Sequence, residues 1–184
     1  MTKCSELWAK VTLFTEERIR QINHEISWST LANLSILAVK FLNNHRDILE
    51  QVSRSVHLKA EAGEFKPEDI NSVCLILGSL PSLPLRLIGV IVDSFIKSFE
   101  HLQIAQCSKL YLSLARVASS YIKGSDPAAY QTYQHLISLM VDKILKSEKL
   151  ELGDVLQLCL PLAQDGVSGD SKVWIKFRDT IFDN

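Results

Sequence analysis

Two sets of polar side chains recur at matching places along this 184-residue chain. One set is Asn33, Ser72, Lys109 and Gln157; the other is Lys40, Ser79, Arg116 and Gln164, two helical turns further on. A hydrogen-bonding side chain repeated once per structural unit suits reading the edges of successive unpaired bases. It equally suits a helix face that meets only water. Positive charge in the two sets is confined to Lys40, Lys109 and Arg116, which favours the solvated face. Asn33, Lys40, Ser72, Lys109, Arg116 and Gln157 are therefore the candidate row for an RNA or a protein partner.

Other chemistry-bearing residues read more plainly. Cys4, Cys74, Cys107 and Cys159 form no CxxC pair and have no histidine at zinc-ligand spacing. Three of them lie in apolar runs, where a free thiol acts as a small hydrophobe, so a reducing compartment is expected. His24, His45, His57, His101 and His135 make no HxxxH pair and read as surface or loop residues. Asp93, Asp142 and Asp179 recur, and their spacing suits a repeated structural role, a cap or a pairing between units, better than a metal site. The stretch Gly166-Val167-Ser168-Gly169-Asp170-Ser171 lacks the Gly-Lys-Ser/Thr ending of a phosphate loop and reads as an interhelical turn. Asn33-Leu34-Ser35 matches a glycosylation sequon but falls inside a helix. Trp8, Trp28 and Trp174 read as core or partner contacts. No catalytic, metal or cofactor site is expected.

Composition narrows the function classes. Hydrophobic residues make up 47% and charged residues 22%, as in a folded globular chain. The formal net charge is −1, whereas gripping phosphates wants a basic excess. A membrane span over 73–92 is disfavoured by Pro81, Pro84 and Arg86. The first residues resemble no secretory signal, and Glu6, Glu16 and Glu17 argue against a transit peptide.

The elements that would carry these residues are helices, because apolar residues recur at three- and four-residue steps and alternating runs are absent. Two segments echo one another: Leu87-Ile88-Gly89-Val90-Ile91-Val92-Asp93 and Leu136-Ile137-Ser138-Leu139-Met140-Val141-Asp142. Extending the echo aligns first helices on Leu31/Leu34/Ala38, Ile70/Val73/Leu77, Cys107/Leu110/Leu114 and Val155/Leu158/Leu162. From Leu31 to Ile70, Cys107 and Val155 the steps are 39, 37 and 48 residues, the last lengthened by a loop at 124–128. Second helices align on Ile48/Leu49/Val52/Val56, Leu87/Ile88/Ile91/Phe95, Leu136/Ile137/Met140/Ile144 and Val173/Trp174/Phe177/Ile181. Pro67 with Glu68 and Asp69, Ser82 before Leu83-Pro84, Asp126-Pro127 and Asp170 mark helix starts. A helix over Ser5–Ile22 leads the series.

Helix pairs at a period near 40 residues cannot cover both of their apolar faces alone and must stack. The expected fold is all-α: a right-handed α-solenoid of about four helix-turn-helix repeats plus a leading helix, in one domain over 1–184. The leading helix falls in 1–23, and the helix-pair repeats in 26–60, 65–100, 102–148 and 150–184.

The unit openings Phe65-Lys66-Pro67-Glu68-Asp69-Ile70, Ile26-Ser27-Trp28-Ser29-Thr30-Leu31 and Leu150-Glu151-Leu152-Gly153-Asp154-Val155 resemble heptatricopeptide and octotricopeptide-type repeats and the related repeats of FAST-kinase-like proteins. So do the closing steps Leu114-Ala115 and Leu162-Ala163. The resemblance covers most of the chain from Ile26 onward. It implies an organellar protein acting with RNA in transcript maturation, translation or ribosome structure. The leading expectation is a non-enzymatic scaffold subunit of a mitochondrial ribonucleoprotein such as a mitoribosome, with protein partners and no membrane span. The second is an RNA-binding maturation or translation factor on single-stranded or ribosomal RNA. The third is a cytoplasmic adaptor that holds a peptide as HEAT and TPR proteins do.

Overall fold

The computed structural model describes residues 26–41, 46–63, 65–80, 85–118 and 127–182, together with Lys10, Leu13 and Glu17. Among these residues all regular structure is helical. Eight α-helices follow in order: α1 (Trp28–Phe41), α2 (Arg46–Glu61), α3 (Ile70–Ser79), α4 (Leu85–Ser98), α5 (Ile104–Ala118), α6 (Pro127–Lys146), α7 (Leu152–Gln164) and α8 (Lys172–Phe182). Short 3-10 turns precede α3 and follow α4. Of the expected leading helix, Lys10, Leu13 and Glu17 are helical and exposed; the rest lies outside the described residues. So do Trp8, His24, His45, Ser82 and Asp126.

The odd-numbered helices start alike. Ser27 accepts the Thr30 amide at 3.2 Å. In the next three openings the third residue reaches back instead: Asp69 accepts the Lys66 amide at 3.1 Å, Gln106 that of Gln103 at 2.9 Å and Asp154 that of Glu151 at 3.5 Å. Each bond satisfies an amide that the first helical turn leaves unpaired. Positions 27, 66, 103 and 151 thus repeat the steps of the apolar alignment, and one or the other half of a capping box starts each helix in the same register.

That register fixes what each helix buries. Leu31, Leu34 and Ala38 on α1, Ile70, Val73 and Leu77 on α3, Cys107, Leu110 and Leu114 on α5, and Val155, Leu158 and Leu162 on α7 are all core residues. Each odd-numbered helix packs on the next odd-numbered one, and each even-numbered helix on the next even-numbered one. Within a unit, α1 packs on α2 and α7 on α8. Each fully buried Leu or Ile contributes roughly 1.5–3 kcal/mol by leaving water. On the even helices Val52, Val56, Ile91, Phe95, Met140, Ile144, Val173 and Phe177 are buried. Trp174 is half-buried and Ile181 is 46% exposed.

Polar side chains tie successive even helices together. Ser94 on α4 donates to the Ala60 carbonyl at the end of α2, at 2.5 Å. Ser98 accepts the Phe65 amide and donates to the Ser94 carbonyl, both at 2.6 Å. Lys176 on α8 donates to the carbonyls of Leu145 (3.1 Å) and Ser147 beyond α6. Cations and hydroxyls placed there satisfy the carbonyls that a helix C-terminus leaves open.

One expected boundary shifts, and the start at Pro127 holds. α8 is capped by Ser171 rather than Asp170: the Ser171 hydroxyl accepts the Val173 amide at 3.4 Å, and its carbonyl accepts the Trp174 amide at 3.0 Å. The added length of the third unit goes partly into helix. Leu85 of α4 aligns with Gln134, yet α6 begins earlier, at Pro127, where a fixed φ and a missing amide suit a first turn. The turn after α7 is a Schellman motif: Gly166 at φ +85° donates to the Ala163 carbonyl and Val167 to that of Leu162. It is an interhelical turn.

Candidate interaction face on the odd-numbered helices

The candidate row divides by exposure. Asn33 and Lys40 are exposed on α1, and Lys109 and Arg116 on α5. Ser72 on α3 and Gln157 on α7 are half-buried. Gln157 Oε1 is enclosed and has no hydrogen-bond partner among the described residues. In the second set Ser79 turns its hydroxyl back onto the Ile76 carbonyl at 3.2 Å, while Gln164 is exposed. Ser72 and Gln157 therefore present less surface to a ligand than Asn33 and Lys109 do.

Lys109 stands where three odd helices meet. Burial pushes up the thiol of Cys74 on α3, while the Ser113 hydroxyl and the charge of Lys109, both from α5, act to lower it. Burial likewise raises the carboxyl of Asp154 on α7 above the usual range, opposed by the Glu151 amide and by Lys109. The ammonium of Lys109 is thus felt by helices on both sides of α5.

Between the two polar sets lies a row that sequence reasoning missed. Three residues after the first set come Ile36, Leu75, Leu112 and Leu160, one on each odd helix. Leu75 is 52% and Leu160 63% exposed; Ile36 and Leu112 are half-buried. On α7 the apolar surface broadens through Leu156, 68% exposed, and Leu152. The signal was present in the register of the unit alignment, three residues after the polar set, but apolar residues outside the aligned inner faces were not compared. Isolated exposed leucines are ordinary; a row at one register is the informative pattern.

Asp165, just past α7, is a second convergence. Its Oδ2 accepts hydrogen bonds from the hydroxyls of Tyr111 on α5 and, at 2.9 Å, Tyr133 on α6. The two rings stack with centroids 6.5 Å apart and both are buried. Burial raises both phenols well above their ordinary value; for Tyr111 the neighbouring Tyr133 adds to it, and for Tyr133 the charge of Asp165 does. Tyr133 lies in the part of α6 that precedes the register of α4, so the longer helix supplies this contact.

The remaining candidates do not converge on one site. Asp93, Asp142 and Asp179 are all exposed, and no common ligand set forms. Asp142 pairs with Lys146 of its own helix at 3.8 Å and Asp179 with the adjacent Arg178 at 2.8 Å, so the pairs these two make lie within one helix and not between units. His57 is half-buried on Glu61 at 3.1 Å, while His101 and His135 are exposed. Among the described residues no group of three or more His, Cys, Asp or Glu converges as a metal site would. Trp28 is buried edge-on to Phe65, with centroids 5.4 Å apart, and Trp174 donates to the Ser168 carbonyl at 2.8 Å. Ser35 of the sequon is buried on the Leu31 carbonyl. No described helix is long and apolar enough to cross a membrane.

Comparison with known proteins finds no family model, no curated protein and no solved structure that matches this chain.

Proposed function

We propose that this chain is a right-handed α-solenoid working as a non-enzymatic interaction subunit of a larger assembly, its odd-numbered helices forming the contact face. The observation that carries this reading is the exposed Leu75 and Leu160, one register on two odd helices, with Leu156 beside them. The pattern of contacts, odd to odd and even to even, is how stacked helix pairs would pack. The resemblance to organellar helical-repeat families makes a mitochondrial ribonucleoprotein the first assembly to examine.

A direct RNA contact is the second reading, favoured by exposed Lys40, Lys109 and Arg116 on the same face. Titration with single-stranded RNA at two salt concentrations tests it, since affinity for phosphates falls steeply with salt.

The first reading is tested by sedimentation of the tagged full chain from its own cells, with and without ribonuclease. An interaction subunit runs with a particle far heavier than 20.7 kDa. A chain that sediments alone under both conditions overturns the reading.

A further inference from the structure

We infer that the odd-numbered face takes an acidic amphipathic helix of a protein partner, its apolar side on Leu75, Leu112 and Leu160 and its carboxylates toward Lys40, Lys109 and Arg116. The inference rests on the interaction-subunit reading and adds the chemistry of the partner.

Charge complementarity selects the acid. Within α1, α3, α5 and α7 the charged residues are Lys40, Lys109, Arg116 and Asp154, and Asp154 is only 6% exposed. The exposed charges of these helices are therefore all positive, although the chain as a whole carries −1. Glu68 and Glu151 lie outside the helices, at their N-terminal entries. A partner with carboxylates flanking an apolar stripe meets cations along the row and no exposed anion of the helices themselves.

The apolar residues select protein over RNA. Unpaired bases are held by stacking on aromatic faces. Trp28 and Tyr111, the aromatic side chains described on these helices, are both buried, and the exposed apolar groups are aliphatic. Leucines suit the apolar side of a docked helix.

Spacing sets the partner's period. Packed helices stand roughly 8–10 Å apart, so the row from Leu75 through Leu112 to Leu160 advances by about that much at each step. A partner helix rises about 1.5 Å per residue, and seven residues cover about 10.5 Å. A helix laid along the row thus presents an apolar residue to each odd helix every seventh position, with acidic residues beside it.

The test uses two fluorescent peptides of about 21 residues with leucine at heptad spacing, one with glutamate and one with lysine at the flanking positions, and a single-stranded oligouridylate. The glutamate peptide is expected to bind the full chain at least tenfold more tightly than the lysine peptide, and more weakly as salt rises. Leu75→Ser with Leu160→Ser, and separately Lys109→Glu with Arg116→Glu, should each weaken it about tenfold or more, with circular dichroism and melting unchanged. Equal binding of the two peptides, or no binding of the glutamate peptide, overturns the inference. So does oligouridylate binding that is lost in the charge variant and kept in the leucine variant, which would mark a phosphate-binding face. If peptide binding fails while the chain still sediments with a particle, this inference falls and the interaction-subunit reading stands; if the chain sediments alone, that reading falls whatever the peptides do.

Discussion

Lys143 on α6 donates to the carbonyl of Phe99 at 2.7 Å, and its ammonium stands 4.7 Å from the centre of the Phe99 ring. One side chain thereby serves an open carbonyl just past α4 and the π face of a buried aromatic. Ser94, at the register of Lys143 one unit earlier, does the corresponding work on Ala60 of α2. The even helices are therefore joined through their C-terminal ends as well as by apolar packing.

Replacing Lys143 should cost more than replacing its exposed neighbour. A hydrogen bond to a charged group contributes roughly 1.5–3 kcal/mol, and the ring contact adds to it. Lys146 makes only an exposed pair with Asp142 at 3.8 Å, of the kind that contributes ~0.5 kcal/mol or less. Urea unfolding should place Lys143→Met about 1.5–3 kcal/mol below the parent and leave Lys146→Met close to it. Equal effects would mean that the Phe99 contact adds no stability.

Core truncations should follow burial along the even helices. Ile91 and Met140 are fully buried at equivalent positions of α4 and α6, and Ile181 is half-exposed on α8. Ile91→Ala and Met140→Ala should each cost roughly 2–5 kcal/mol, the transfer term plus a cavity. Ile181→Ala leaves no cavity and should cost well under ~1 kcal/mol. Thermal melts of the three variants check the ordering.

What the sequence discloses depends on whether the signal is local. Helix type and the buried faces of all four odd helices follow from apolar spacing, because a helix must hide one face whatever its neighbours are. Caps were partly legible. Pro67 with Asp69 marks a start by residue type, whereas Ser171 and Asp170 are equally good caps and only the backbone path chooses. Contacts between units were not legible: Lys143 on Phe99 spans 44 positions and Tyr111 on Asp165 spans 54. Residue type gives no hint of such a partner. The exposure of the candidate row was not legible for the same reason. Lys109 and Arg116 are exposed, but Gln157 is half-buried, and the apolar row beside it was not singled out.

Asp165 should couple its two tyrosines. Tyr111→Phe or Tyr133→Phe removes one buried donor and should cost about 1–2 kcal/mol. Asp165→Ala strands both hydroxyls and should cost more, about 2–4 kcal/mol. Once the carboxylate is gone, removing a hydroxyl should be nearly neutral, so the Asp165→Ala/Tyr111→Phe double variant should fall well short of additivity. Additive losses in a double-mutant cycle would show that the hydroxyls and the carboxylate act independently.

Alkaline pH should unfold this chain through its buried acids. Burial pushes the Cys107 thiol from an ordinary 9.0 up to about 12, with the nearby charge of Lys143 acting the other way. Tyr111 and Tyr133 are raised as well. A folded-state pKa above the unfolded value means that the native chain keeps a proton the unfolded chain releases. The stabilisation is then complete below the unfolded pKa and drains away as pH climbs through the folded one. Stability should be level with respect to these groups below about pH 8 and fall between 9 and 12, each such group contributing about 1.4 kcal/mol per pH unit inside its window. Cys107→Ala should flatten the fall that begins near pH 9, and Tyr111→Phe the part above about pH 10, where an unfolded tyrosine ionises. Urea midpoints at pH 8, 9.5 and 10.5 read both effects. Identical slopes in parent and variants would mean that neither group is shielded from water as its burial requires.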